Sequence, residues 1–195
     1  MNIEQIVDDA YKLYMPQERD EILQLAHFVN DLQPKVLLEI GTKYGGTFMI
    51  WNKILSGTTI SIDIVEGIHG GISRHEFDNR NAHFREMFKD ACIFIEGNSH
   101  DQTTYDSLLK VLNGHKIDFL FIDGDHTYEG VKQDYEMYSP LVSDNGYIAF
   151  HDINDTPRHR DRNVYVGKFW NELSGDKIEF NANSDWAGIG VIKKN

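Results

Sequence analysis

Five short apolar runs, each followed by a stretch with helical or loop character, occupy residues 36–173 of this 195-residue chain. The runs cover residues 36–38, 59–63, 92–96, 117–122 and 147–150, and helical spacing returns through Ile50, Trp51 and Ile54, over 76–90 and 102–112, at Val131, Tyr135 and Tyr138, and over 164–173. A β-α-β-α alternation of this length calls for a parallel sheet with helices on both faces. The runs are nearly continuous in apolar character rather than alternating, as suits strands covered on both sides. Two late strand-like pieces, residues 177–181 and 187–193, lie close enough to form a hairpin, so one of them must run antiparallel to the rest. The expected fold class is α/β, a three-layer sandwich. Ahead of the first strand, residues 3–14 and a stretch between Pro16 and Pro34 carry apolar side chains at helical spacing. They predict an N-terminal helical cap over 1–33 on a core of 34–195, together one domain.

Composition removes several function classes. The formal net charge is −12, from 31 acidic and 19 basic residues, and phosphate neutralisation needs clustered Lys and Arg, so no nucleic-acid partner is expected. No apolar run approaches the roughly 18 residues a membrane helix needs. The acidic start lacks the basic end and apolar stretch of a signal peptide. Cys92 is the only cysteine, so no intrachain disulfide forms, and a cytoplasmic location is expected.

Ligands of open α/β sheets bind beyond the carboxyl ends of the strands, which directs attention to the strand ends. The first reads Glu39-Ile40-Gly41-Thr42-Lys43-Tyr44-Gly45-Gly46-Thr47. Its glycines let a ligand approach the backbone, and the following helix N-terminus favours an anionic group. The plain alternative is a tight βα turn. The second strand ends at Asp63, about 20 residues on, where a carboxylate can accept both hydroxyls of a ribose or simply cap the next loop. The spacing Glu39-x-Gly41-x-x-x-Gly45 departs from the G-x-G-x-x-G of dinucleotide sites, and an acid ahead of the first glycine repels a diphosphate. A cofactor with an amino acid moiety and a ribose fits better than a nicotinamide dinucleotide.

These motifs, with Gly97-Asn98-Ser99-His100-Asp101, Asp118-Phe119-Leu120-Phe121-Ile122-Asp123-Gly124-Asp125-His126 and Gly146-Tyr147-Ile148-Ala149-Phe150-His151-Asp152, resemble the class I S-adenosylmethionine-dependent methyltransferases. The resemblance is to the catechol-type and antibiotic- and sugar-hydroxyl O-methyltransferases and the cephalosporin hydroxylase-like group. It covers roughly residues 34–193 and is strongest over 117–152. It implies a Rossmann-like, mostly parallel seven-stranded sheet with a C-terminal antiparallel hairpin strand, and S-adenosylmethionine as cofactor. It further implies that Glu39, Gly41, Gly45 and Thr47 line the methionine end, Asp63 holds the ribose and Ser99 lies at the adenine. Asp123 would border the cofactor and, with His151 and Asp152, hold a divalent metal, magnesium or manganese. His126 would be the general base.

The chemistry is coherent on physical grounds. A neutral histidine near pKa 6.5 can take the proton of a hydroxyl nucleophile at pH 7. A divalent cation beside that hydroxyl lowers its pKa and orients it. His151, however, stands where metal-dependent relatives carry an acid, and imidazole suits zinc, iron or manganese better than magnesium. Three readings stay open: a softer metal, magnesium held by Asp123 and Asp152 with waters, or no metal and His151 as a second acid–base group. Asp125 is either a further ligand or an orienter of His126.

Other features have plainer readings. His27, His83 and His115 are expected at the surface, and His69 and His75 flank a glycine-rich stretch read as a flexible loop rather than a lid. Arg158, Arg160 and Arg162 are read as a solvated loop paired with Asp155 and Asp161 in preference to an anion site. Tyr165, Trp170 and Trp186 are read as core before sugar-stacking residues. The N-terminal helices are left three roles: capping the sheet, covering the acceptor site, or forming a homo-oligomer contact. The expectation is methyl transfer to a hydroxylated small molecule, a sugar or secondary metabolite. The rivals are a nicotinamide-dependent oxidoreductase on the same fold and a non-catalytic cofactor-binding partner protein.

Overall fold

The computed structural model describes residues 2–66, 71–182 and 185–194. Two helices, α1 (Ile3–Ala10) and α2 (Arg19–Leu32), precede β1 (Val36–Ile40), α3 (Gly46–Ile54), β2 (Thr58–Asp63), α4 (Arg74–Phe88) and β3 (Cys92–Glu96). Then follow α5 (Gln102–Leu112), β4 (Ile117–Ile122), α6 (Tyr128–Tyr138), β5 (Val142–His151), α7 (Pro157–Arg160), α8 (Val166–Glu172), β6 (Lys177–Phe180) and β7 (Ile189–Lys193). The seven strands lie in the order β3-β2-β1-β4-β5-β7-β6. Pairing from β3 through β5 is parallel, whereas β7 is antiparallel to both β5 and β6. The sheet is therefore the expected one, and β7 is its reversed strand.

The continuous apolar runs are explained by where successive side chains go. Side chains alternate between the two faces of a strand. Leu37, Phe119, Phe121 and Ala149 enter one core with Phe48 and Trp51 of α3 and the apolar faces of α1 and α2. Their neighbours Leu38, Ile40, Leu120, Ile122, Ile148 and Phe150 enter the other with α5, α6 and α8. Both faces are buried, so both parities must be apolar.

The order also fixes where a crevice opens. From β1 the chain moves outward to β2 and β3, then returns to β4 beside β1 and moves the other way. Ile40 is in register with Ile122, and the Asp123 amide donates to the Ile40 carbonyl at 2.9 Å. The turns leaving β1 and β4 thus diverge from one point, the topological switch at which such sheets bind ligands.

Several boundaries differ from expectation. Helix α4 begins at Arg74, two residues before the expected start at Glu76, because Ser73 and Glu76 form a reciprocal capping box. Strand β5 starts at Val142, well before 147, across an irregular register with β4. The stretch 153–163 is not all loop: Thr156 caps the single turn of α7, with Pro157 in its first position. No helix among the described residues is long and apolar enough to cross a membrane.

Candidate active site

Two adjoining cavities open at the carboxyl ends of the strands. The first is bounded by Ile40, Asp63, Gly97, Ser99, Gly124 and Asp125. The second is bounded by Met15, Gln17, Thr47, His151, Asp152 and Trp186. Gly41, Lys43, Asp123 and His126 line both, so they form the partition at the switch point.

The turn after β1 packs directly on the end of β4. Gly41 has φ +88°, and a Cβ there would stand 2.1 Å from the Asp123 carbonyl oxygen. Only glycine allows both the left-handed backbone and that approach. Thr42 Oγ1 lies 2.7 Å from Ser61 Oγ, which ties the turn to β2. Gly45 and Thr47 border the second cavity.

Glu39 is placed differently from expectation. It is fully buried behind the turn and lines neither cavity, with Trp51 Nε1 donating to its Oε2 at 2.5 Å. Burial pushes its carboxyl up to about 8, against hydrogen bonds from Trp51, Thr42 and Thr47. Its Oε1 has no hydrogen-bond partner among the described residues.

Asp63 ends β2 on the wall of the first cavity, yet it is 6% exposed and ion-paired, with Arg80 Nη1 2.5 Å from its Oδ2. Burial raises its carboxyl above the usual range, against the charge and hydrogen bond of Arg80. Ser99 lines the same cavity, and its carbonyl accepts from the Tyr138 hydroxyl at 2.7 Å.

Across the partition, Asp123, His126, His151 and Asp152 converge. His126 Nδ1 is 3.0 Å from Asp152 Oδ2, and its Nε2 is 4.0 Å from Asp123 Oδ1. The closer contact makes Nδ1–H the donor to Asp152 in the neutral ring, leaving Nε2 toward the partition. His151 Nδ1 lies 3.2 Å from Asp123 Oδ1 and 3.3 Å from Asp152 Oδ1. Burial disfavours a charged His151, but Asp152 and then Asp123 outweigh it and raise its pKa well above the ordinary value. His126 is raised too, with burial opposing and the Asp152 hydrogen bond leading the causes that favour charge. Asp152 is held far below the usual carboxylate range: burial works against it, but the His151 charge and the hydrogen bonds from His126 and His151 prevail.

The proposed metal donors are present but not arranged around an ion. Among the described residues no group of three or more His, Cys, Asp or Glu is positioned to hold one. His151 Nε2 is buried without a hydrogen-bond partner among the described residues, and imidazole with two carboxylates fits a cation chemically, while His151 Nδ1 and Asp152 Oδ1 face each other at 3.3 Å. Asp123 Oδ2 and Asp152 Oδ2 already accept from Gln17 and His126.

Several contributors were not visible in the sequence. Gln17, between α1 and α2, donates through Nε2 to Asp123 Oδ2 at 2.7 Å, and Tyr14, Met15 and Pro16 beside it line the second cavity. The N-terminal helices pack into the core on one face of the sheet, and the connection between them walls the second cavity. His159 of α7 is buried, with Nδ1 2.5 Å from the Asn154 carbonyl and Nε2 accepting from the Ala187 amide at 3.0 Å. That ring bridges backbone to backbone. Glu21, also buried, accepts from the amides of Ala182 and Gly188, each at 2.9 Å. Trp170 is core as expected, whereas Trp186 lines the second cavity and donates to Glu18 at 2.7 Å.

The three arginines divide. Arg160 pairs with Asp155 at 2.6 Å, Arg158 lies 4.8 Å above the Trp186 ring, and Arg162 lines the second cavity. Asp125 borders the first cavity and accepts from the Thr127 amide at 2.9 Å. His27, His83 and His115 are exposed, His75 lies in the first turn of α4, and His69 lies outside the described residues.

Comparison with known proteins gives a consistent result. A family model described as a methyltransferase domain matches residues 38–153. A rhamnosyl O-methyltransferase of Mycobacterium tuberculosis is 26% identical over 133 residues, covering 65% of this chain and 49% of that protein. The chain spans half or less of the length of the curated relatives it matches. An O-methyltransferase from Bacillus cereus solved with SAH superposes with TM-score 0.63 at 17% identity, covering 98% of this chain and 90% of that one. MycE of the mycinamycin pathway, solved with Mg, SAH and mycinamycin VI, gives 0.64 at 14%, covering 100% and 55%. At these identities the likeness to solved structures is one of fold.

Proposed function

The chain belongs to the methyltransferase domain family, and from that premise we propose that it moves the methyl group of S-adenosylmethionine to a hydroxyl of a small molecule. The carrying observation is that His126 stands on the partition between the two cavities with Nδ1 held by Asp152 at 3.0 Å. S-adenosylmethionine supplies a methyl carbon on a positively charged sulfur, which leaves as the neutral thioether when the carbon is attacked. The first cavity is its place, with Asp63 for the ribose and Ser99 toward the adenine. The second holds the acceptor.

His126 does the proton work. Its Nε2 takes the hydroxyl proton as the acceptor oxygen bonds to the methyl carbon, and Asp152 stabilises the imidazolium that forms. Asp123, held by Gln17, lies beside Nε2 and favours the same charge. Glu39 acts from behind the turn by fixing Trp51 and the loop hydroxyls. Trp186 offers an aromatic wall suited to the apolar face of a sugar ring, and with a rhamnosyl-modifying relative it favours a sugar hydroxyl as acceptor.

Asp123, Asp152 and His151 are the residues that would hold a divalent cation, which would supply a lowered pKa to the acceptor hydroxyl. Support comes from His151 Nε2, which is buried without a hydrogen-bond partner among the described residues. Turnover that falls on exhaustive chelation and returns with magnesium or manganese is the expected result, and unchanged turnover removes the metal from the reaction.

The test of the function is SAH release with a panel of sugar and polyphenol acceptors. Turnover with a hydroxylated acceptor is expected. His126→Ala should lose about 10²–10⁴-fold in kcat and keep its SAH affinity within about threefold. A fully active variant overturns the base assignment. SAH binding with no turnover on any acceptor favours the non-catalytic partner reading instead.

A further inference from the structure

Arg80 is a buried cation that the reaction described above does not use. Its side chain is 5% exposed, on the inner face of α4 with Phe77, Asn81 and Phe84. Nη1 reaches both Asp63 Oδ2, at 2.5 Å, and the carbonyl of Lys43, while Nε donates to Asn81 Oδ1 at 3.0 Å. Nη2 is buried with no hydrogen-bond partner among the described residues. Phe77 and Phe94 close over the guanidinium at 4.7 and 5.8 Å. One planar group therefore joins the carboxylate at the end of β2 to the turn after β1, and both Asp63 and Lys43 border the first cavity.

We propose that Arg80 is a positioning residue of the cofactor site, holding Asp63 ionised and fixed against the β1 turn so that its carboxylate can accept the ribose hydroxyls. The inference rests on the first cavity being the S-adenosylmethionine site. A carboxylate this buried is costly unless paired. Its own Oδ1 already accepts from the Ile64 amide at 3.1 Å, so the orientation of both oxygens is set before a ligand arrives. The other charged groups facing Asp63 do not replace Arg80. Lys43 presents its carbonyl there, and Glu96, the β3 neighbour in register, is paired with Arg74. Glu66 accepts from the Arg74 amide. His100, Asp123, Asp125 and His126 border the same cavity from the β3 and β4 turns. With the guanidinium removed, burial acts on Asp63 without its main counterweight.

The experiment is calorimetric titration with SAH between pH 6.5 and 9 on the unaltered protein, Arg80→Met, Arg80→Lys, Asp63→Asn and the double variant Arg80→Met/Asp63→Asn. Each variant is read as a ratio to the unaltered protein at the same pH, which cancels titrations that all share. Arg80→Met should bind about 10–100-fold more weakly at pH 6.5 and recover as pH rises and Asp63 ionises. Arg80→Lys should restore most of the affinity. Asp63→Asn should be weaker by a constant factor, and adding Arg80→Met to it should cost nothing further.

Arg80→Met binding within threefold of the unaltered protein throughout overturns the proposal. So does a loss that is the same at every pH and persists in the double variant, because that is a packing defect. Should Arg80→Met not fold, Arg80→Gln carries the same pH comparison. Failure of the unaltered protein to bind SAH overturns the cofactor reading and this inference together, whereas normal binding with an inert Arg80 overturns this inference alone.

Discussion

Gly41 and Gly114 provide a matched pair for measuring how tightly the two turns at the switch point are packed. Their backbones are nearly the same, with φ +88° and +85°. Their surroundings are opposite. A Cβ on Gly114 meets nothing within 4 Å, whereas one on Gly41 meets the Asp123 carbonyl oxygen at 2.1 Å, its carbon at 2.6 Å and Gly124 Cα at 2.8 Å. Gly114→Ala therefore incurs only the left-handed strain of an L-residue, about 1–2 kcal/mol. Gly41→Ala incurs that strain plus overpacking against backbone, which adds roughly 1–3 kcal/mol. For a chain of this size each kcal/mol moves Tm by about 2–4 °C. Gly114→Ala should then lose roughly 2–8 °C, and Gly41→Ala about 2–12 °C beyond it. Urea unfolding gives the free energies directly, and calorimetry with SAH tests the functional consequence. Relief of the clash must part the ends of β1 and β4, so Gly41→Ala should also lose SAH binding while Gly114→Ala keeps it. If the two variants are equally stable and bind SAH equally well, the close packing of turn on strand is not what requires glycine at 41.

Glu39 supplies a prediction in pH. Its folded pKa of about 8 lies above the ordinary value of 4.5, so its contribution to stability is fully present below that ordinary value and is lost as pH rises through 8. Glu39→Gln keeps an acceptor for Trp51 and cannot ionise, so its urea midpoint should fall less than that of the unaltered protein between pH 6 and 9. Parallel midpoints would mean that the carboxyl does not titrate in this window.

The strand ends were legible because their chemistry is local. Gly41, Asp63, Ser99, Asp123 and His126 each follow directly from a strand run, and parallel pairing brings those ends to one edge. What pairs with them was harder to see. Arg80 follows an apolar period, Phe77, Arg80, Asn81 and Phe84, that marks the buried face of α4, and a cation in that face was the available signal. Gln17 carried none, because it lies in an irregular link 106 residues before its partner Asp123. Glu39 was expected near the ligand because its motif is read along one dimension. The strand's alternation instead turns it away from the cavity and under Trp51. Trp186 read as core because aromatic residues in late strands commonly are. Its place is set by Glu18, 168 residues earlier, and by Glu21, which holds the Ala182 and Gly188 amides on either side of it from 161 and 167 residues away.

Those Glu21 contacts bear on how the molecule assembles. Every described residue that lines the first cavity lies at or before His126, whereas the partition also needs Asp152 to hold the His126 ring. The second cavity also needs residues 14–17 and Trp186, and the Glu21–Gly188 hydrogen bond closes a loop of 167 residues. A closure this long carries a large entropic cost and is expected to be met late. The lining of the first cavity is therefore made earlier along the chain than that of the second. By the same reasoning the second pocket should be the first to open in the finished protein, under conditions that leave the first one shut.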